Sequence, residues 1–462
     1  MQRKETTTTS GKDVEITHFH SSGKACSREG FYVSGGIPGE RLRIRPQRGK
    51  GFRSGSIVQI ISPSPERTVP FCIHAALCGG CPWQHIRYRA QLKWKRDILM
   101  RALEKYGISL PENNVPEVVP SPLLTGYRNR VDYTFEAGAG NGGNPIMGFH
   151  LPGDPSSVFD CRECLLLPPG FHSLAMEVRE TARDADIPFY RFSDRSGLLR
   201  NVTLRCTTTG DIAVIPGFTR NRDDRIASFM ETLSRHLPKV TTWGYTVWDP
   251  LTESGFYNPA YYHYKGKKHL EEQAGDLRFQ YSPQAFYQPN PLQAAVIFRE
   301  IRELTSSMNL ESGPVFDLYT GIGTIALSLA AVHKNASITG IEGNSPAVND
   351  ARRNVPGESN GNIHFICGDI LETFTTDFTG NYQKPSLIVL DPPRSGTLTE
   401  IKKTILQAKP DAIIYLSCNP VSLAWDLKQF TGGGYRVTHI RPFDMFPHTH
   451  HVETLTVCEP VF

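Results

Sequence analysis

The chain has 462 residues, 39% hydrophobic and 21% charged, with a formal net charge of +4. That length carries roughly two to four domains with ample core, and no apolar run reaches the ~18 residues that a membrane helix needs. Ten cysteines in so long a chain exclude a small disulfide scaffold.

The start, Met1-Gln2-Arg3-Lys4-Glu5 and then four threonines, lacks an apolar stretch and carries an acid. It reads as a short disordered tail, and the protein is expected in the cytoplasm. Positive charge is concentrated early: residues 1–69 hold 12 Lys and Arg against 6 Asp and Glu, which leaves the rest near −2. Arg41, Arg43, Arg45, Arg48, Lys50 and Arg53 follow one another without an acid between them. Such a window fits a polyanion partner, and equally a solvated strand face.

Residues 23–61 read as short strands broken by glycine turns, with alternating runs at Leu42–Arg45 and Ser56–Ile61. Many short strands with turn signals predict a small barrel, in which the interleaved arginines all face outward. This stretch resembles the TRAM domain, an OB-like RNA-binding barrel. Pro63-Ser64-Pro65 marks a boundary, so the barrel is expected over residues 11–66.

A cysteine segment follows, Cys72 to Cys81, with the spacing Cys72-x5-Cys78-x2-Cys81; a second pair, Cys161-x2-Cys164, lies further on. Two pairs of the CxxC type suit a zinc ribbon, whereas Cys72, Cys78, Cys81 and one later cysteine suit a [4Fe–4S] cluster. Spacing leaves both open. Tyr88 to Lys105 has helical periodicity and many basic residues, which adds to the polyanion reading. Arg128 to Phe135 alternates like a half-buried strand with a turn at Gly138–Gly143, and Tyr127, Arg128 and Arg130 are candidates for phosphate contact. Residues 67–280 are expected to form a mixed α+β central domain.

From residue 281 the texture becomes alternating helix and strand, with β runs at Val315–Leu318, Ser337–Glu342, His364–Cys367, Leu387–Leu390 and Ile413–Ser417. This predicts a doubly wound, Rossmann-like α/β domain over 281–462, with chemistry beyond the strand carboxyl ends. Gly321-x-Gly323-x-x-Ala326 opens a helix after the first of these strands, as a nucleotide-binding turn does. NAD is one ligand for such a turn. Acids at successive strand ends, Asp317, Glu342, Asp369 and Asp391, suit S-adenosylmethionine better, with Glu342 placed for ribose hydroxyls. Two apolar runs stop at reactive residues followed by proline, Asp391-Pro392-Pro393-Arg394-Ser395-Gly396 and Ser417-Cys418-Asn419-Pro420, and these should be neighbours on one rim.

With Asp444-Met445-Phe446-Pro447-His448-Thr449-His450-His451-Val452-Glu453-Thr454 after them, these motifs resemble the RNA uracil-5 methyltransferase family. The likeness runs along essentially the whole chain and is to the iron–sulfur-containing branch with an N-terminal TRAM domain. It implies that Cys418 attacks C6 of a uracil, that C5 takes the methyl group, and that Glu453 then removes the C5 proton. It implies cofactor contacts from Gln288, Tyr319, Thr324, Glu342, Asp369 and Asp391. Where the family often has cysteine and asparagine, this chain has Thr320 and Thr324. The resemblance further implies a [4Fe–4S] cluster on Cys72, Cys78, Cys81 and Cys164, with Cys161 an extra thiol. His448, His450 and His451 are read as loop and substrate contacts rather than metal ligands. The helix near 87–107 is expected to pack on the catalytic domain. The expected substrate is large-subunit (23S) ribosomal RNA, with the T-loop uridine of transfer RNA as the alternative, and the enzyme is expected to be a monomer without membrane contact. A second alternative is an RNA-binding protein with an inactive catalytic domain, against which the intact Cys418, Glu453 and Asp391 set argues; an NAD-dependent oxidoreductase leaves the Asp-Pro-Pro-Arg and Ser-Cys-Asn-Pro motifs unexplained.

Overall fold

The computed structural model describes residues 11–48, 53–110, 115–138, 145–220, 224–248, 259–357 and 362–461. The threonine tail, Lys50 of the basic window and the turn expected after Gly138 fall outside them. Among the described residues no helix is long and apolar enough to cross a membrane.

Five strands close a barrel in the order β1-β2-β3-β5-β4: β1 (Lys12–Phe19), β2 (Ala25–Ser27), β3 (Phe31–Val33), β4 (Arg41–Arg48) and β5 (Arg53–Ser62). Closure removes the free strand edges that would otherwise seek a partner. Along β4 the period of two puts Leu42 and Ile44 in the core and Arg41, Arg43 and Arg45 outside. Arg43 is paired with Asp13 at 2.7 Å.

Helix α1 (Tyr88–Tyr106) follows the cysteine segment and ends on Gly107, whose φ of 69° is the left-handed stop that glycine favours. Two apolar faces decide its position. Ala90 and Ile98 join Trp83 and Ile86 against the barrel core, while Leu99, Ala102 and Leu103 pack with Ile401, Ile405, Leu423 and Leu427 on two helices that cover the C-terminal sheet. The helix therefore wedges between two parts of the chain.

A second sheet has the order β12-β11-β10-β9-β6-β7-β8. Its strands are β6 (Arg130–Glu136), β7 (Ile146–Leu151), β8 (Asp154–Asp160), β9 (Leu199–Cys206), β10 (Ile212–Phe218), β11 (Thr242–Val247) and β12 (Ala260–Gly266). Helices α2 (Phe171–Asp184) and α3 (Asp224–His236) cover it through Ala175, Val178, Phe229 and Leu233. A hairpin, β13 (Leu270–Ala274) and β14 (Leu277–Tyr281), leads onward.

The C-terminal sheet alternates helix and strand: α4 (Pro291–Thr305), β15 (Val315–Leu318), α5 (Thr324–Val332), β16 (Ile338–Glu342), α6 (Ser345–Arg353) and β17 (Ile363–Cys367). After two short turns, α7 (Ile370–Thr373) and α8 (Thr376–Gly380), come β18 (Leu387–Leu390), α9 (Thr399–Ala408), β19 (Ile413–Ser417) and α10 (Pro420–Gly432). The chain closes with β20 (Tyr435–Phe443) and β21 (Glu453–Pro460). The order is β17-β16-β15-β18-β19-β21-β20, parallel through β19 and antiparallel thereafter. Strands β15, β18 and β19 are buried along their length, which is why they read as unbroken apolar runs. The last strand, β21, is inserted between β19 and β20, with Ser417 opposite Thr454. That insertion brings Glu453 next to Cys418.

Candidate active site

The spatial order of the strands lines up residues that lie far apart in sequence. Along the rim, Asp369 follows β17, Glu342 ends β16, Asp317 and Tyr319 close β15, Asp391 follows β18, Cys418 follows β19, and Glu453 opens β21.

The glycine turn after β15 is held in the left-handed region, with φ of 63° at Tyr319, 57° at Gly321 and 83° at Gly323. A β-carbon on Gly323 would stand 2.7 Å from the Phe365 ring, so this position takes only glycine. Asp317 is fully buried; its Oδ2 accepts from the Thr320 hydroxyl at 2.5 Å and from the Ala326 N–H at 3.1 Å. Its Oδ1 is buried without a partner. Glu342 accepts the Gly321 N–H at 3.1 Å and the Asn344 N–H at 2.7 Å, and Asp369 caps α7 through the Leu371 N–H at 2.8 Å. Thr324 opens α5, and the half-buried Gln288 precedes α4, its carbonyl accepting from Asn129 at 3.0 Å. A close-approach turn, a strand-end carboxylate and an orphaned acid oxygen fit a ligand with a ribose diol and a cationic tail.

Cys418 is half-buried, just before α10, whose N-terminus is capped by Asn419. Asn419 also donates to the Arg394 carbonyl at 2.9 Å, which joins the loops after β18 and β19. Burial pushes the carboxyls upward together: Asp317 to about 7, Asp391 to about 7 with Asp317 adding, and Glu453 to about 8 with Asp391 adding. Burial and then Glu453 push the Cys418 thiol up to about 11, while Arg394 pulls it down. Arg394 also favours ionised Glu453 and contacts His451 at 3.3 Å. Thiol, carboxyl, base and cation therefore share one electrostatic neighbourhood.

The histidines divide. His448 is buried with φ of 67°, and its backbone and ring are all hydrogen-bonded within the protein. His450 and His451 pack ring to ring at 4.1 Å, and burial pushes them down to about 4 and about 3, so both are neutral. Of the candidate phosphate contacts, Tyr127 is 4% exposed, with its hydroxyl on the Pro447 carbonyl at 3.4 Å. Arg130 pairs with Asp132, whereas the Arg128 Nε is buried without a partner.

All the cysteines are free thiols. Cys78 and Cys164 lie within electrostatic reach of each other and of Cys72, Cys81 of Cys78 and Cys164, and Cys161 of Cys164, Cys78 and Cys72; burial raises Cys78, Cys81, Cys161 and Cys164, Cys81 and Cys161 to about 12. The His74 N–H donates to Cys72 Sγ and the Gly80 N–H to Cys78 Sγ, both at 3.4 Å. Cys161 is buried in the central core and donates to the Glu163 carbonyl at 3.1 Å. Among the described residues no group of three or more His, Cys, Asp or Glu is arranged to hold a metal ion. The donor chemistry, thiols with backbone N–H groups on two of their sulfurs, suits a thiolate-ligated group.

Sequence reasoning missed Lys95 and Gln91. Both lie on the helix read as a basic surface, yet Lys95 is 0% and Gln91 1% exposed. Their spacing with Ile98, Leu99 and Ala102 on the buried side of α1 was the available signal.

A doubly wound sheet with a glycine turn and acids at its strand ends is the architecture of a nucleotide-type cofactor site, of which S-adenosylmethionine-dependent methyltransferases are one class. Residues 265–459 match the family model for tRNA (uracil-5-)-methyltransferase. An uncharacterized RNA methyltransferase of Porphyromonas gingivalis is 34% identical, over 96% of this chain and 99% of that protein. A second, from Bacteroides thetaiotaomicron, is 32% identical over 92% and 95%. Among solved structures, tRNA (uracil-54, C5)-methyltransferase of Pyrococcus abyssi, in complex with S-adenosyl-L-homocysteine, superposes with a TM-score of 0.75. It is 25% identical and covers 97% of this chain and 100% of its own. The chain belongs to the RNA uracil-5-methyltransferase family, and its enzyme activity is S-adenosylmethionine-dependent methylation of RNA.

Proposed function

We propose that the enzyme methylates C5 of a uridine in 23S ribosomal RNA through a covalent Cys418–C6 adduct. The observation that carries the chemistry is the shared rim of Cys418, Asp391, Glu453 and Arg394 beside the glycine turn. Uracil C5 is a poor nucleophile until a thiolate adds at C6, so an activated cysteine comes first. Arg394 favours the Cys418 thiolate; Asp391 holds the base against the donor; Glu453 takes the C5 proton, and Cys418 is then expelled. S-adenosylmethionine, when bound, supplies the electrophilic methyl group. Gln288, Tyr319, Thr324, Glu342, Asp369 and Asp391 would hold it. The target base must leave its stack to reach this rim, and contacts from the barrel, read as a TRAM domain, would offset that cost.

In the same reading the chain has three parts: the barrel to residue 66, a central part to residue 280, and a Rossmann-like catalytic part beyond it. Cys72, Cys78, Cys81 and Cys164 would ligate a [4Fe–4S] cluster with a structural role. Protein purified without oxygen is then brown and loses iron in Cys72→Ser; colourless protein carrying zinc overturns this.

Cys418→Ala is expected to abolish methylation, and Glu453→Gln to accumulate a protein–RNA adduct that survives denaturation. Turnover by either variant sinks the mechanism. A transfer RNA substrate is the second reading, favoured by the likeness to the Pyrococcus abyssi enzyme at a TM-score of 0.75. Mapping 5-methyluridine in ribosomal and transfer RNA of cells with and without the gene decides between them.

A further inference from the structure

The loop from Asp444 to Val452 delivers Glu453 to the rim, and α1 fastens it. Gln91 and Lys95 stand one turn apart on the same helix face. The Gln91 Oε1 accepts the His448 N–H at 2.9 Å, and its Nε2 lies 3.2 Å from His448 Nδ1. The same Nε2 donates to the Ile86 carbonyl at 2.9 Å. His448 Nε2 is 3.0 Å from the Leu124 carbonyl, which makes Nε2 the protonated nitrogen and Nδ1 the acceptor for Gln91. The His448 carbonyl takes the Trp83 N–H at 2.9 Å. Backbone and ring of His448 are thus engaged together, at a residue whose φ of 67° needs support. Lys95, fully buried, pairs with Asp444 and donates to the Phe446 carbonyl at 3.0 Å. Asn290 holds the Met445 carbonyl at 3.2 Å.

We propose that Gln91 and Lys95 are positioning residues for Glu453, which set the loop for the proton-removal step and leave the earlier steps alone. The proposal rests on the role of Glu453 given above. In that role the Cys418 thiolate forms the S–C6 bond and the C5–C6 π pair moves toward C5, which takes the methyl group and releases S-adenosylhomocysteine. Glu453 then accepts the C5 proton, the C–H pair re-forms the double bond, and the S–C6 bond breaks to return the thiolate. Displacing the loop slows only this last exchange.

The test compares two RNAs. On 5-fluorouridine RNA the C5 substituent cannot leave as a proton, so adduct formation reads the steps before Glu453 acts. Gln91→Leu is expected to form this adduct at the wild-type rate. On ordinary RNA it is expected to lose at least about tenfold in turnover and to build up adduct during the reaction. Gln91→Glu keeps an acceptor for the His448 N–H but sets a carboxylate oxygen against the Ile86 carbonyl and His448 Nδ1, so it should recover only part of the turnover. If Gln91→Leu folds poorly by its melting temperature, His448→Asn serves instead, since asparagine tolerates the left-handed backbone while the ring contacts are lost. Wild-type turnover by these variants, or an equal slowing on both RNAs, overturns the proposal. If Glu453→Gln itself accumulates no adduct, the role of Glu453 fails first, and the two failures are told apart.

Discussion

At Glu453 the ligand-free folded protein holds, up to about pH 8, a proton that the unfolded chain gives up and that must leave before the carboxylate can act as base. Burial, with Asp391 beside it, raises this carboxyl to about 8, and Asp317 and Asp391 rise to about 7 for the same reason. A raised carboxyl binds protons more tightly in the native state, so the native state is favoured at low pH. This advantage is lost as pH climbs from about 4 toward 8. Glu453→Gln removes the penalty of ionising a buried acid. It should raise the melting temperature at pH 8.5 by at least about 2 °C, with a smaller gain at pH 5.5. A gain that is the same at both pH values would show that Glu453 carries no such shift. Filling the site with a cationic ligand should shrink the difference, because the ligand compensates the same charges.

Two elements bracket the catalytic loop from outside the C-terminal sheet; the family resemblance placed the helix near 87–107 on the catalytic domain, but the contacts by which either element holds the loop were not legible. The buried parallel strands could be read because each is an apolar run ending at a polar residue, which is how the sequence alone puts Asp391 and Cys418 on one rim. Lys95 and Asp444 are separated by 349 positions, and only packing brings them together. Basic residues on an amphipathic helix look alike in sequence whether they face RNA or a buried aspartate. The hairpin of β20 and β21 was hidden for a similar reason, since the alternation of helix and strand gives no sign that the final strand reverses and inserts. The second bracket is the barrel turn at Gly23. Its φ is 77°, a β-carbon there would lie 2.5 Å from the His450 ring, and its carbonyl accepts the Trp83 indole N–H at 3.0 Å. Gly30 has a similar φ of 79° with nothing within 4 Å, so it measures backbone strain alone. Gly30→Ala is expected to cost about 1–2 kcal/mol. Gly23→Ala should cost more and should also slow methylation; equal melting temperatures for the two variants would mean that the barrel does not bear on the loop.

Across the whole molecule, the part matched by the family model begins at residue 265, well after α1. A fragment of residues 265–462 would leave Asp444 buried without Lys95, a loss of about 3–5 kcal/mol. It would also bare the patch of Ile401, Ile405, Leu423 and Leu427 that α1 covers. Such a fragment should be insoluble or lack a cooperative melting transition, and co-expression with residues 63–125 should restore both. A soluble, cooperatively melting fragment would refute this. The deeper consequence of the buried Lys95–Asp444 pair concerns inheritance. A segment exchanged into this chain with a crossover between the two residues must bring a matching partner with it, or leave a naked charge in the core. A chimera keeps this contact only when both sides of the crossover supply a matching pair.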